Sequence, residues 1–427
     1  ASGTDIGAVI NEGRITAAPG GSVTLLGGRV TNTGHIVADF GTVNLAAGRT
    51  ATLDLFGDGL LRLEVDSELL ANASGSASAV ENGGTIEARG GQVLLTAEAV
   101  EGIFANLVNN TGVVRANRID NSGGTIRLVG EGGIVRSSGV LDASAGDSIS
   151  TGGTVHVLGD YVGLFDGAVV DVSGATGGGQ ALIGGGFQGA DPEVPNARRT
   201  YVGSEVQIRA DAGQTGTGGE VIVWSDEITR FNGSIVARGG LSGGDGGFAE
   251  VSGKETLVFR GSVDLSATAG EGGRLLLDPR NITIATGGTG DLEGDTGDDG
   301  DPATYAFAED EGDDVTIAPG TITSILDNGT SVTLQAHNDI VVNNAIDGSG
   351  STDAGGGLTL QAGDDIIINA DVRTNDGAIT LVAGDPDATP TGDNGDEAPQ
   401  GELIIAATAV VDAGDAAVTL GSAADMQ

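Results

Sequence analysis

The chain has 427 residues, 78 of them glycine, no cysteine, 3% aromatic side chains and a formal net charge of −41. Disulfides and thiol chemistry are therefore excluded. So is nucleic acid as a partner, because no cationic stripe exists to displace its counterions, and no run reaches the ~18 apolar residues of a membrane helix. The acidic surface reads as solvated and self-repelling, with divalent cation binding as the sharper alternative. No signal peptide is visible from Ala1 onward, so the chain reads as an interior piece, or a leader-stripped form, of a longer protein.

From the start of the chain a phrase Gly-Gly-x-apolar-x-apolar recurs. It stands as Gly20-Gly21-Ser22-Val23-Thr24-Leu25, Gly90-Gly91-Gln92-Val93-Leu94-Leu95 and Gly123-Gly124-Thr125-Ile126-Arg127-Leu128. It returns at Gly152-Gly153, Gly218-Gly219 and Gly272-Gly273; the steps from 123 to 152, 218 to 246 and 246 to 272 are 29, 28 and 26 residues. A period of this size means a stack of similar units. The glycines are assigned to tight turns that need positive φ. Alternation with period two puts the aliphatic side chains on one face and Thr, Arg, Glu or Gln on the other.

Between these phrases lie strands ending in a small residue, such as Val140-Leu141-Asp142-Ala143 and Val263-Asp264-Leu265-Ser266. Asn11, Asn32, Asn82 and Asn110 recur just before glycines. They are either simple turn residues or a side-chain ladder at one corner of the stack. Residues 60–72 are the stretch most compatible with a short helix. Residues 187–200, with Pro192, Pro195 and the adjacent pair Arg198-Arg199, stretch one repeat to 40 residues (178 to 218) and read as an insertion.

The chain divides into residues 1–285 with Gly-Gly repeats, an acidic Gly/Asp-rich loop or linker at 286–314, and a second repeat region at 315–427. From residue 286 onward Arg373 is the only basic side chain apart from His337. In the second region Val332-Thr333-Leu334-Gln335-Ala336 is echoed 26 residues on by Leu358-Thr359-Leu360-Gln361-Ala362, and Ile379-Thr380-Leu381 and Val418-Thr419-Leu420 continue the series. Residues 386–401 read as a further loop. Short, one-directional, small-cored strands joined by two or three turns per repeat specify an all-β parallel β-helix. At ~25 residues per coil and ~4.8 Å per coil this is a rod of about 17 coils and ~80 Å.

Several phrases resemble large filamentous-haemagglutinin-like exoproteins. They are Val170-Asp171-Val172-Ser173-Gly174, Ile183-Gly184-Gly185-Gly186-Phe187-Gln188-Gly189, Val223-Trp224-Ser225-Asp226, Gly246-Gly247-Phe248-Ala249-Glu250-Val251-Ser252-Gly253-Lys254 and Leu275-Leu276-Leu277-Asp278-Pro279-Arg280-Asn281-Ile282. The likeness covers most of the chain, most densely about residues 165–380. It implies a right-handed parallel β-helix of a Gram-negative bacterium, secreted by the two-partner route through an outer-membrane barrel transporter. It also implies an extracellular or cell-surface adhesive rod. The family's Asn-Pro-Asn-type secretion motif is absent from this sequence, so the resemblance places the secretion domain outside the chain.

Chemistry is sparsely encoded. Lys254 is the only lysine, and His35, His156 and His337 are each more than a hundred residues apart; they read as surface residues. Carboxylate pairs of the glycosidase kind abound by composition and discriminate nothing, and no Gly-x-Ser-x-Gly elbow or phosphate loop appears. The chain is expected to be non-enzymatic and to need no cofactor. The candidate metal residues are Asp295, Asp298, Asp299 and Asp301, whose spacing around glycine suits oxygen ligation of calcium. The leading expectation is a structural stalk of a secreted adhesin that meets a host or neighbouring cell surface or glycan. A self-assembling extracellular filament is the alternative, and a polysaccharide-processing enzyme the remote one.

Overall fold

The structure, a computed structural model, describes residues 7–48, 51–53, 63–65, 78–98, 104–286, 307, 315–350, 355–386, 388 and 401–422. Three strand positions recur in each coil, and each stacks on its counterpart in the next. The strands form two nine-stranded sheets and one of thirteen strands, extended at one end of the stack by sheets of five and three. Every pairing between coils is parallel; the one antiparallel pair of strands among the described residues joins Ala51–Leu53 to Leu63–Val65. That pair makes residues 63–65 a strand, so the pattern at 60–72 does not become a helix there. The architecture is a parallel β-helix, as the periodicity specifies.

Register explains the core. In the thirteen-stranded sheet one inward row runs Val43, Val93, Ile126, Val155, Ala181, Val221, Ala249, Leu275, Val332, Leu358 and Ile379, each beside the next. All are buried. Each aliphatic side chain therefore packs on a similar one a strand spacing away, and β-branched residues suit this pleated, half-buried surface. Phe231 and Phe259 stack in the same manner, ring centroids 5.5 Å apart and 10° from parallel.

The Gly-Gly phrase has a second cause besides φ. Gly20, Gly90 and Gly123 do adopt positive φ, but Gly91, Gly153, Gly179, Gly219, Gly247 and Gly273 do not. These second glycines stack in a column where a Cβ would strike the carbonyl of the glycine one coil below. That carbonyl is in use: Gly179 O accepts from Glu220 N at 2.9 Å, and Gly219 O from Phe248 N at 3.0 Å. Close approach, rather than turn conformation, makes glycine obligatory there.

The asparagines form the ladder. Asn11 Nδ2 donates to Asn32 Oδ1 (2.7 Å), Asn32 to Asn82 (2.8 Å), Asn82 to Asn110 (2.8 Å), and Asn110 to Ser137 Oγ (3.0 Å). All are buried, so each amide satisfies its neighbours where water is excluded.

The change of repeat style near residue 285 does not interrupt the long sheet, because Arg274–Leu277 pairs with Ser331–Ala336. The other two faces are rebuilt at this point. Val315–Ile317 pairs with Ile282–Ile284 on the side away from Ile340–Val342, so it enters the stack out of chain order. On the remaining face the α-helix Pro319–Asp327 packs between Ser262–Asp264 and Ile346–Asp347. Its β-branched sequence disguises a helical spacing of buried residues, Ile322, Ile325 and Leu326. Pro319 at its start and Gly329 (φ +88°) after its end are the helix signals that the sequence does carry.

Two outcomes follow. Asn82→Ala leaves two buried amides without a partner and lowers stability by ~1–3 kcal/mol; Asn369→Ala, which breaks the exposed Asn369–Asn343 bond, costs ~0.5 kcal/mol or less, both read by chemical denaturation. Gly219→Ala overpacks the glycine column and destabilises by ~1–3 kcal/mol. Gly320→Ala meets nothing within 4 Å and stabilises by up to ~1 kcal/mol through helix propensity.

Candidate functional site

The insertion read from the sequence leaves the strand Gln180–Ile183 and re-enters at Arg199–Val202. Arg199 and Thr200 thus belong to the returning strand. The intervening residues fold over the outer surface of the long sheet. They cover Leu182, Ile222 and Trp224, which with Val194 and Phe248 make a small apolar cluster separate from the inner core. Trp224 is 4% exposed, and its Nε1 donates to Asp226 Oδ1 at 3.2 Å. Asn196 Nδ2 donates to the same oxygen and to Gly189 O, both at 3.0 Å. Gly189 (φ +58°) lies so close to the indole that a Cβ would strike it.

The tip of the insertion is held by buried carboxyls. Gln188, at φ +50°, donates its backbone N–H to Glu250 Oε2 and Oε1 at 3.0 and 3.3 Å. Its side-chain amide reaches Gln335 Oε1 at 3.3 Å and also bonds Asp278. Glu250 is fully buried and Asp278 nearly so. Burial pushes the Glu250 carboxyl up to about 8, with the charges of Asp278 and Glu220 adding to the effect. Burial likewise pushes Asp278 up to about 7, and His337 Nε2 lies 3.8 Å from its Oδ1. Raised carboxyl pKa values can mark catalytic acids; here both carboxyls are buried against the insertion.

Next to this clasp a groove of about 480 Å³ runs along the outer face of the sheet, walled at one end by Phe187 and Gln188. Register aligns Thr333, Thr359, Thr380 and Thr419 into one outward row, as their spacing implies. Arg274 sits over the Phe248 ring at 5.3 Å, and Phe187 meets Phe248 edge-on at 5.8 Å.

The other residues singled out from the sequence are dispersed. His35 lies 3.6 Å from Glu87 and is hydrogen-bonded to Arg14. His156 is largely covered rather than a surface residue; burial, then the charge of Arg127, lowers it to about 4, so it stays neutral. The structure brings no two of the three histidines together. Lys254 occupies the turn after Phe248–Gly253, its backbone N–H bonded to Ser225 O. Arg198 and Arg199 both grip Glu227 at 2.9 Å. Burial raises the Glu227 pKa, but the two guanidinium bonds outweigh it and the net shift is downward. Arg199 also donates to Phe307 O at 2.5 Å, and the Phe307 ring packs edge-on against Tyr161, so the acidic stretch touches the stack there. Asp295, Asp298, Asp299 and Asp301 lie outside the described residues. Among the described residues no group of three His, Cys, Asp or Glu could hold a metal ion, and no helix is long and apolar enough to cross a membrane.

The carboxyl clasp was not legible in the sequence, where Glu250 and Asp278 are two acids among 60. The usable signal was that Glu250 holds an outward strand position whose neighbours across the ladder, Ile222 and Leu276, are apolar.

No protein-family model matches this sequence, and no curated protein matches it. Among solved structures, the crystal structure of the HMW1 secretion domain from Haemophilus influenzae is similar, with a TM-score of 0.50 and 27% identity. The match covers 64% of this chain and 67% of that one. The resemblance read from sequence places a secretion domain outside the chain, whereas this likeness is to a secretion domain.

The clasp makes a pH prediction. Glu250 and Asp278 have folded pKa values raised above their unfolded ones, so the folded state binds more protons between about pH 4 and 8. Their contribution is complete below about pH 4 and is lost as pH rises through 7–8. Fluorescence of Trp224, the single tryptophan, reports the insertion: it should change near pH 7–8, and Glu250→Gln should flatten that change.

Proposed function

We propose that this chain is a rigid, non-catalytic stalk segment of a secreted adhesin. Export would run through an outer-membrane barrel partner and end on the outside of a Gram-negative cell. The observation that carries this reading is the uninterrupted thirteen-stranded parallel sheet, joined to the likeness to a secretion domain. A stack whose strands pair coil by coil can fold progressively from one end, which suits a chain that emerges from a pore unfolded. Absence of cysteine leaves nothing to cross-link before passage. A net charge of −41 keeps the emerging chain from self-aggregating. The non-catalytic reading is supported by the burial of Glu250 and Asp278 and by the separation of the histidines.

A second reading, assembly into a filament, is favoured by one observation. Ile404, Val410, Val418 and Leu420 on the last described coil present aliphatic side chains on which a further coil, of this chain or of another copy, can stack.

Negative-stain electron microscopy of the purified chain separates the two. Isolated rods of roughly 60–80 Å, at ~4.8 Å per coil, are the expected result, and axial polymers would replace the stalk reading with the filament. Export is checked by placing the chain behind a secretion-competent leader with and without the barrel partner; release to the medium independent of the barrel would remove the two-partner route. Turnover of any acidic polysaccharide by the purified chain would end the non-catalytic reading.

A further inference from the structure

The groove beside the insertion has a distinct chemistry. Its floor is the row Thr333, Thr359 and Thr380 flanked by Gln361, and Phe187, 45% exposed, stands at its end. The backbone groups of these strands are engaged in the parallel ladder. Beside the apolar Leu276 and Ala378, the floor therefore offers side-chain hydroxyls and amides, repeated at one strand spacing of ~4.8 Å.

That inventory selects the ligand class. An extended peptide added as a strand needs an unpaired sheet edge, which a sheet face does not present. A polyanion meets a chain of net charge −41, with Arg274 the one cation in the lining and already committed to the Phe248 ring. A lipid or apolar surface would leave the threonine hydroxyls without hydrogen bonds, whereas Gln361 already donates to Asp385 Oδ2 at 3.0 Å. A neutral, hydroxyl-rich strand suits each feature: its hydroxyls exchange hydrogen bonds with Thr and Gln, and the apolar face of a sugar ring lies on an exposed aromatic side chain.

We propose that this groove is a binding site for a neutral polysaccharide strand lying along the coil axis. Phe187 is its stacking platform, and Thr333, Thr359, Thr380 and Gln361 form its hydrogen-bonding rows. The insertion, pinned by Gln188 to Glu250 and Gln335, sets the position of the platform. The proposal takes its setting from the adhesive-rod reading and gives that rod a contact point.

The test uses the full 427-residue chain. Isothermal titration calorimetry is run with neutral glucan, mannan and galactan oligosaccharides of four to eight sugars, and with hyaluronate and polygalacturonate as polyanionic arms. At least one neutral series should bind, with affinity rising with length across the first few sugars. Phe187→Ala and Thr359→Val should each weaken it tenfold or more, while Thr283→Val on another face leaves it unchanged. Melting temperatures and electron microscopy of every variant establish that the rod persists. Absence of binding by any neutral oligosaccharide, preference for the polyanions, or binding indifferent to both groove variants would overturn the proposal. Rods without binding sink the groove and leave the stalk standing, whereas a chain that forms no rods sinks the stalk reading.

Discussion

Everything in this molecule depends on how closely the backbones of successive coils approach. At Gly91, Gly153, Gly179, Gly219, Gly247 and Gly273 there is no room for a Cβ between one coil and the carbonyl below it. The same carbonyl receives the first ladder hydrogen bond of the next strand. The column fixes register at one point in each of these coils, and once one residue is fixed the period-two alternation sends alternate side chains inward, leaving Leu182 and Ile222 on the outer face. The asparagine ladder performs a similar service at another corner of the first coils, through side-chain amides rather than contact distance. Its members are spaced 21, 50 and 28 residues apart in sequence, the wide step lying between Asn32 and Asn82. A register set by corners tolerates insertions between them.

That tolerance is where individuality enters. The insertion after Ile183 adds a second apolar cluster outside the sheet without disturbing the inner rows, because Gln180–Ile183 and Arg199–Val202 keep their pairings in two different sheets. The rebuilt junction works in the same way. Phe248–Gly253 pairs with Arg274–Leu277 only over its first three residues, the strand Val315–Ile317 enters the stack out of order, and a helix takes the place of a strand on the third face. The long sheet carries the stack through both events. The carboxyls that hold the insertion are the unusual element, since burying Glu250 and Asp278 favours their neutral forms.

Legibility followed distance along the chain. The strands, the two repeat styles and the position of the insertion could be read because their signals are local and repeated. The alignment of Thr333, Thr359 and Thr380 followed from a 26-residue echo and a further short step. The helix Pro319–Asp327 was missed because its Thr and Ile residues favour strands, and burial against two neighbouring faces overrode that propensity. Glycine was assigned to turn conformation alone because close approach to another coil leaves no mark beside it in the sequence.

The sequence by itself determined the repeat, the small aliphatic core, the acidic surface and hence the parallel β-helix, all consequences of period and composition. Only the tertiary structure decided what lies on the outside of that helix. Gln188 meets Glu250 across 62 residues and Gln335 across 147, and Arg199 meets Phe307 across 108. A solenoid makes such contacts by stacking height and by where an insertion folds back. Neither quantity is carried by a local pattern, so the clasp and the groove beside it appear only once the coils are stacked.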